Sequence, residues 1–376
     1  MKVGSGQWTD SLGWRFDNEA PFETAQLVLY FAAPGTLDDG ERLAELHRRH
    51  PAAKLVGCTS GGEILGSEVY DGTIVAVALK FDHARIELRS RRLSECQGSL
   101  DAGCRLGADL PKDDLRAVFV LSDGTLVNGS DLVRGLRETL PADVVLTGGL
   151  AGDGAEFKST LVGADCPPET GLIAAIGFYG ASVDVRHGSY GGWDAFGPDR
   201  VITRSDGNVL YELDGEPALD LYKRYLGDEA ARLPGSALLF PLKVRRDGNR
   251  GTELVRTVVG IDEANKAMIF AGDVPAGSSV QLMRGNFDHL IEGAGQAAQQ
   301  TGGTMSGGLA ILVSCIGRKL LLGQQVVDEV EAVAEILGPD CTAIGLYSYG
   351  EISPHEFTGS CDLHNQTMTI TVIGES

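Results

Sequence analysis

The densest set of ligand-capable side chains lies at residues 361–368, CDLHNQTM, where a thiol, a carboxylate, an imidazole, two amides and a thioether fall together. His364 is the member best suited to hold a metal. An imidazole is largely neutral near pH 7 and ligates iron or zinc through one ring nitrogen, and Asn365 and Gln366 stand beside it to orient the ring. Just upstream, residues 345–352 read GLYSYGEI, and residues 57–64 read GCTSGGEI. The shared pattern G-x-x-S-x-G-E-I puts Ser60, Gly62 and Glu63 in register with Ser348, Gly350 and Glu351. A third glycine loop, GGLAGDG at 148–154, adds Gly149 and Asp153. A hydroxyl, a carboxylate and backbone amides in one tight loop can read a small polar ligand. The same residues can also form turns that cap one another, and spacing leaves both readings open.

Three chemistries are compatible with these residues. A haem b would use His364 as axial ligand, Trp193, Phe196, Tyr347 and Tyr349 as aromatic walls, and Arg204 or Arg318 for the propionates. An amino acid or another small polar metabolite would instead be read by Glu63, Glu351, Arg318 and backbone amides. An enzyme would use Cys58 or Cys315 as a nucleophile of lowered pKa, although no histidine stands near either in sequence. Other signatures are missing. Neither Ser60 nor Ser348 sits in G-x-S-x-G, and neither a phosphate loop with lysine nor G-x-G-x-x-G occurs. The seven cysteines are scattered without a C-x-x-C pair, so buried reduced thiols are expected. The remaining histidines are expected to be solvated or structural.

A formal charge of −20 over 376 residues repels phosphate backbones and anionic lipid, so nucleic acid and membrane are not expected partners. No apolar run reaches the roughly 18–20 residues of a membrane span, and the first residues lack the apolar core of a secretion signal. The expected location is the cytoplasm. The 51 glycines are about twice the usual share.

These residues need elements to position them. Strand, helix, proline, strand, glycine loop and strand recur three times, with Pro51, Pro141 and Pro339 in matching places. The expected fold is α/β and two-lobed. It consists of pseudo-repeated strand–helix–strand units with mixed sheets and Gly-rich loops at strand ends. The expected division is 1–190 as a lobe of two units, 191–278 as a connecting hairpin and helix segment, and 279–376 as a lobe carrying the third unit. In such sheets ligands bind at strand carboxyl ends. The loops there are 59–63, 122–129, 148–154, 315–318 and 348–351. Residues 84–90 are expected to form a hairpin with 73–81, and 279–283 to open the third unit.

Taken together, GCTSGGEI, GGLAGDG, FGP at 196–198, ITRS at 202–205, YELDG at 211–215, YSYGEI and LHNQTM resemble the FIST sensory family, from about residue 25 to the end. The resemblance implies an intracellular small-molecule sensor in bacterial signal transduction rather than an enzyme. It implies FIST N and FIST C regions, and a histidine kinase or other signalling protein as partner, with a homodimer also open. One branch, the NosP proteins, binds haem and senses nitric oxide, and its L-H-N-Q-T-M histidine falls on His364.

Overall fold

The computed structural model describes residues 1–17, 24–38, 40–233, 235–245, 253–355 and 359–376. Of the basic stretch KVRRDGNR at 243–250, a loop by its sequence, residues 246–250 lie outside the described residues.

The repeats are present, and each builds a six-stranded sheet around one parallel pair. The pairs are Leu27–Ala32 with Lys54–Thr59, Leu115–Ser122 with Val145–Leu150, and Leu309–Cys315 with Thr342–Ser348. Their strands are almost continuously apolar and buried, as parallel strands covered on both faces must be. Helices Glu41–Arg49 and Gly129–Thr139 cross over in the first two units; Ile316–Leu322 and Val326–Leu337 do so in the third. The prolines follow these helices. An antiparallel strand then flanks each pair: Ile74–Lys80, Leu172–Tyr179 and Met368–Glu375.

Each flanking strand carries the strand that opens its own unit. Lys2–Thr9 pairs with Ile74–Lys80, Arg85–Arg92 with Leu172–Tyr179, and Val183–Tyr190 with Met368–Glu375. Residues 84–90 thus open the second unit and do not close a hairpin on the first. The strand after each glycine loop joins a different unit. Glu63–Leu65 pairs with Thr342–Ser348, Gly350–Pro354 with Val145–Leu150, and Val162–Ala164 with Lys54–Thr59. The exchange is cyclic, so the three units close around a pseudo-threefold centre. It also ties residues 1–190 to 279–376.

The second lobe is inserted into the third unit, after its opening strand. Residues 193–285 form an eight-stranded sheet with helix Ala218–Leu226 packed on it and an apolar core of their own. Ser279–Gly285 belongs there, paired with Trp193–Asp206 and Leu242–Arg245, because the third unit already has its opening strand in Val183–Tyr190. The glycines of helix Ser99–Asp109 serve close packing: a Cβ on Gly103 would lie 2.4 Å from the Leu132 carbonyl oxygen. No helix among the described residues is long and apolar enough to cross a membrane.

Candidate functional site

The three glycine loops meet at the centre through backbone hydrogen bonds that repeat the cycle. Gly61 N–H donates to Tyr347 O at 2.8 Å, Gly152 N–H to Thr59 O at 3.1 Å, and Tyr349 N–H to Leu150 O at 3.1 Å. The duplicated motif is therefore first a junction between units. Its polar side chains close on their own loops. Ser60 bonds the Gly62 backbone, and Glu63 accepts from the Thr73 amide and hydroxyl at 3.1 and 3.0 Å. Ser348 donates to Glu351 at 2.8 Å, while Thr367 donates its amide and hydroxyl to the same carboxyl group at 3.2 and 2.9 Å. Burial pushes Glu63 and Glu351 up to about 8, against the lowering effect of these hydrogen bonds. Gly149 and Gly350 lie in the adjoining strand pair, opposite Glu351 and Leu150. Of the loop residues expected to read ligand, all of these are used in turns and sheet joints.

Arg318 is fully buried and paired with Glu329, at 2.8 Å from Nε and 2.7 Å from the second guanidinium nitrogen. It also donates to the carbonyls of Gly191, Leu290 and Gln366. Tyr347 O–H donates to Glu329 at 3.3 Å. Trp193 Nε1 donates to the Gln366 carbonyl at 2.7 Å, and Arg204 lies on the surface, paired with Glu212 and stacked over Tyr211. His364 is buried, and its Nε2 lies 3.0 Å from the Ser353 carbonyl, which can only accept. Burial lowers its pKa to about 4, so the ring is neutral with its proton on Nε2. These residues do not come together as a haem slot: His364 Nε2 is bonded to the Ser353 carbonyl, Tyr349 lines a cavity that Trp193, Phe196 and Tyr347 do not line, and each arginine is paired with a glutamate.

They do hold one turn. Residues 364–367 link Cys361–His364 to Met368–Glu375, with Gln366 in the left-handed region at φ 61°. Trp193 and Arg318 hold its carbonyl, Glu351 holds Thr367, and Gln366 Nε2 reaches the Leu238 carbonyl at 3.2 Å. The turn presents Asn365 to a cavity of about 500 Å³. Asn365 has 0% exposure, and neither amide atom has a hydrogen-bond partner among the described residues. Across the cavity, Thr257 of the inserted lobe has 3% exposure and a hydroxyl equally without a partner.

The cavity lies at strand carboxyl ends, where four of the expected loops contribute: 122–129, 148–154 through Leu150, 315–318, and 348–351 through Tyr349. Units two and three form one side and the inserted lobe the other. Tyr349 lines it, with Phe157 stacked on its ring at 4.5 Å and 13°. Phe157 stands in the left-handed region at φ 52°, uncommon for a bulky side chain. Asp153 supports it by accepting the backbone amides of Phe157, Lys158 and Ser159, each at 2.8 Å, and the Tyr349 hydroxyl. Burial alone would raise Asp153, but these hydrogen bonds outweigh it and hold the carboxyl below its usual range. No charged side chain is among the lining residues described. Asn365 and Thr257 were not singled out as ligand readers from sequence; Asn365 stood beside His364, whereas Thr257 carries no local signal.

Cys58 and Cys315 are buried, and burial pushes both thiols far up. Such groups are poor nucleophiles at neutral pH. Alkylation by iodoacetamide at pH 7.5 is expected to be slow at both and to become fast only in denaturant; rapid labelling of either in the native protein would revive the cysteine-enzyme reading.

Models of the FIST N domain and of the FIST C domain match residues 26–216 and 218–354. The chain belongs to the FIST family. FIST domains are small-ligand sensory domains in signal transduction. No curated protein matches the chain. A solved structure described as a chorismatase is similar over 99% of this chain and 97% of its own, at 10% identity and a TM-score of 0.37. That likeness is too distant to bear on function. The FIST N match runs through the first two units and into the inserted lobe. The FIST C match covers the rest of that lobe and most of the third unit, so the cavity is lined by residues from both matched regions.

Proposed function

We propose that this FIST protein senses a small uncharged metabolite bound in the cavity between its three-unit body and its inserted lobe. The observation that carries this reading is the pair of unpartnered buried groups, Asn365 on one side and Thr257 on the other, in a cavity without charged lining. A zwitterionic amino acid would find no counter-charge there, which favours a neutral ligand among the polar metabolites. A ligand touching both lobes stabilises the arrangement in which both contacts are made, and so shifts the population of lobe positions. The expected listener is a partner signalling protein, a histidine kinase being the class the family resemblance implies.

Thermal unfolding of the full chain with a panel of neutral metabolites, and with haemin, tests this. A ligand at 100 times its Kd adds about 2.7 kcal/mol of stability. Stabilising compounds are expected to lose their effect in Ala271→Phe, which fills the cavity. Haemin at one equivalent is expected to leave no shifted Soret band. A Soret shift that responds to nitric oxide and disappears in His364→Ala would replace this reading with the haem one.

A further inference from the structure

We infer that the cavity takes a planar, uncharged N-heterocycle carrying an N–H and an acceptor side by side on one edge, read by Asn365 through two hydrogen bonds. The inference rests on the cavity being the ligand site and adds the class of ligand. A carboxamide offers one donor and one acceptor in a single plane, and this matches a lactam or adenine-like edge in the way asparagine reads adenine. Both atoms of Asn365 are buried without a partner among the described residues, an arrangement that native interiors rarely tolerate. The turn that carries it is pinned by Trp193 and Arg318 at the Gln366 carbonyl and by Glu351 at Thr367, so the backbone beneath the amide is fixed.

The shape of the site agrees. The stacked rings of Tyr349 and Phe157 give the cavity a flat aromatic wall suited to a planar ring. Thr257 offers a further contact from the inserted lobe through its hydroxyl. The lining has no cation for a phosphate or carboxylate, so the ligand is a base-like ring and not a nucleotide.

Fluorine NMR of the full chain with 5-fluorouracil and 2-fluoroadenine, each at millimolar concentration, tests the inference. At least one probe is expected to broaden and to be displaced by its unlabelled parent base. For 5-fluorouracil, the 1,3-dimethyl derivative, which lacks the N–H edge, is expected to bind at least about tenfold more weakly. Asn365→Leu is expected to cost a similar factor while its circular dichroism and unfolding midpoint stay native. If that variant does not fold, the methylated probe against the native protein decides. Equal binding of methylated and unmethylated probes, undiminished binding in folded Asn365→Leu, or no broadening by either base overturns the inference. Metabolites that stabilise the native chain but not Ala271→Phe, none bearing such an edge, would overturn it and leave the cavity reading standing. If no compound shows that dependence on Ala271, both fall.

Discussion

Arg318→Met is expected to lower the stability of the folded chain by about 3–5 kcal/mol, the usual cost of removing one partner from a buried ion pair. Arg318 and Glu329 have no solvent exposure, so the carboxylate left behind cannot recover its hydration. Among the described residues Glu329 keeps only the Ser314 and Tyr347 hydroxyls as donors. The carbonyls of Gly191, Leu290 and Gln366 lose a common donor at the same time. Two of them lie at the entrance of the inserted lobe and in the turn that carries Asn365, so ligand response should fail along with stability. The double variant Arg318→Met, Glu329→Leu removes both charges and is expected to regain part of the loss, because an apolar pair no longer strands a buried ion. Chemical denaturation of the three proteins measures this. A loss below about 1 kcal/mol in Arg318→Met would show that the pair is hydrated in solution.

Raising the pH from about 5 to about 8 is expected to destabilise the protein through Glu351 and Glu63. Each ionises near 4.5 when exposed, but burial raises both to about 8 in the fold. Between those values the folded state keeps protons that the unfolded chain has released. Stability from each group is therefore complete below the unfolded value and is lost as pH rises towards the folded one, at up to about 1.4 kcal/mol per pH unit for each. Above about 8 the loss levels off. Glu351 is faced by Arg318 and the Cys315 thiol, and Glu63 by Lys319 and Asp71. Glu351→Gln can retain polar contacts with Ser348 and Thr367 but cannot ionise. It should match the parent at pH 5, exceed it at pH 8.5 by a few kcal/mol, and roughly halve the slope between. Unfolding midpoints at both pH values decide it, and an unchanged slope in the variant would mean that Glu351 ionises normally in the fold.

The repeat was legible because it is written locally. Apolar runs, helix starts, three prolines and three glycine loops each constrain the backbone where they stand, and together they led to the α/β class and the three units. Several of the residues singled out from the sequence also lie near the cavity. Trp193, Arg318, Tyr349, Glu351 and the 361–368 stretch all lie at or behind the cavity. Their roles were not legible. An arginine able to meet a ligand carboxylate meets Glu329 instead, and the sequence separation of the two carries no sign of it.

Tertiary structure alone decided three things. Strand exchange between units follows from edge pairing, and an edge strand such as Glu63–Leu65 carries no mark of which distant strand it will join. The insertion of residues 193–285 into the third unit depends on which strand already occupies the position beside Met368–Glu375. The choice between His364 and Asn365 depends on a turn: one residue further along, the chain changes direction, so His364 points to the Ser353 carbonyl and Asn365 to the cavity. The composition of that stretch marked it as important, but only the closure of two units and the inserted lobe around it determines which side chain is left without a partner.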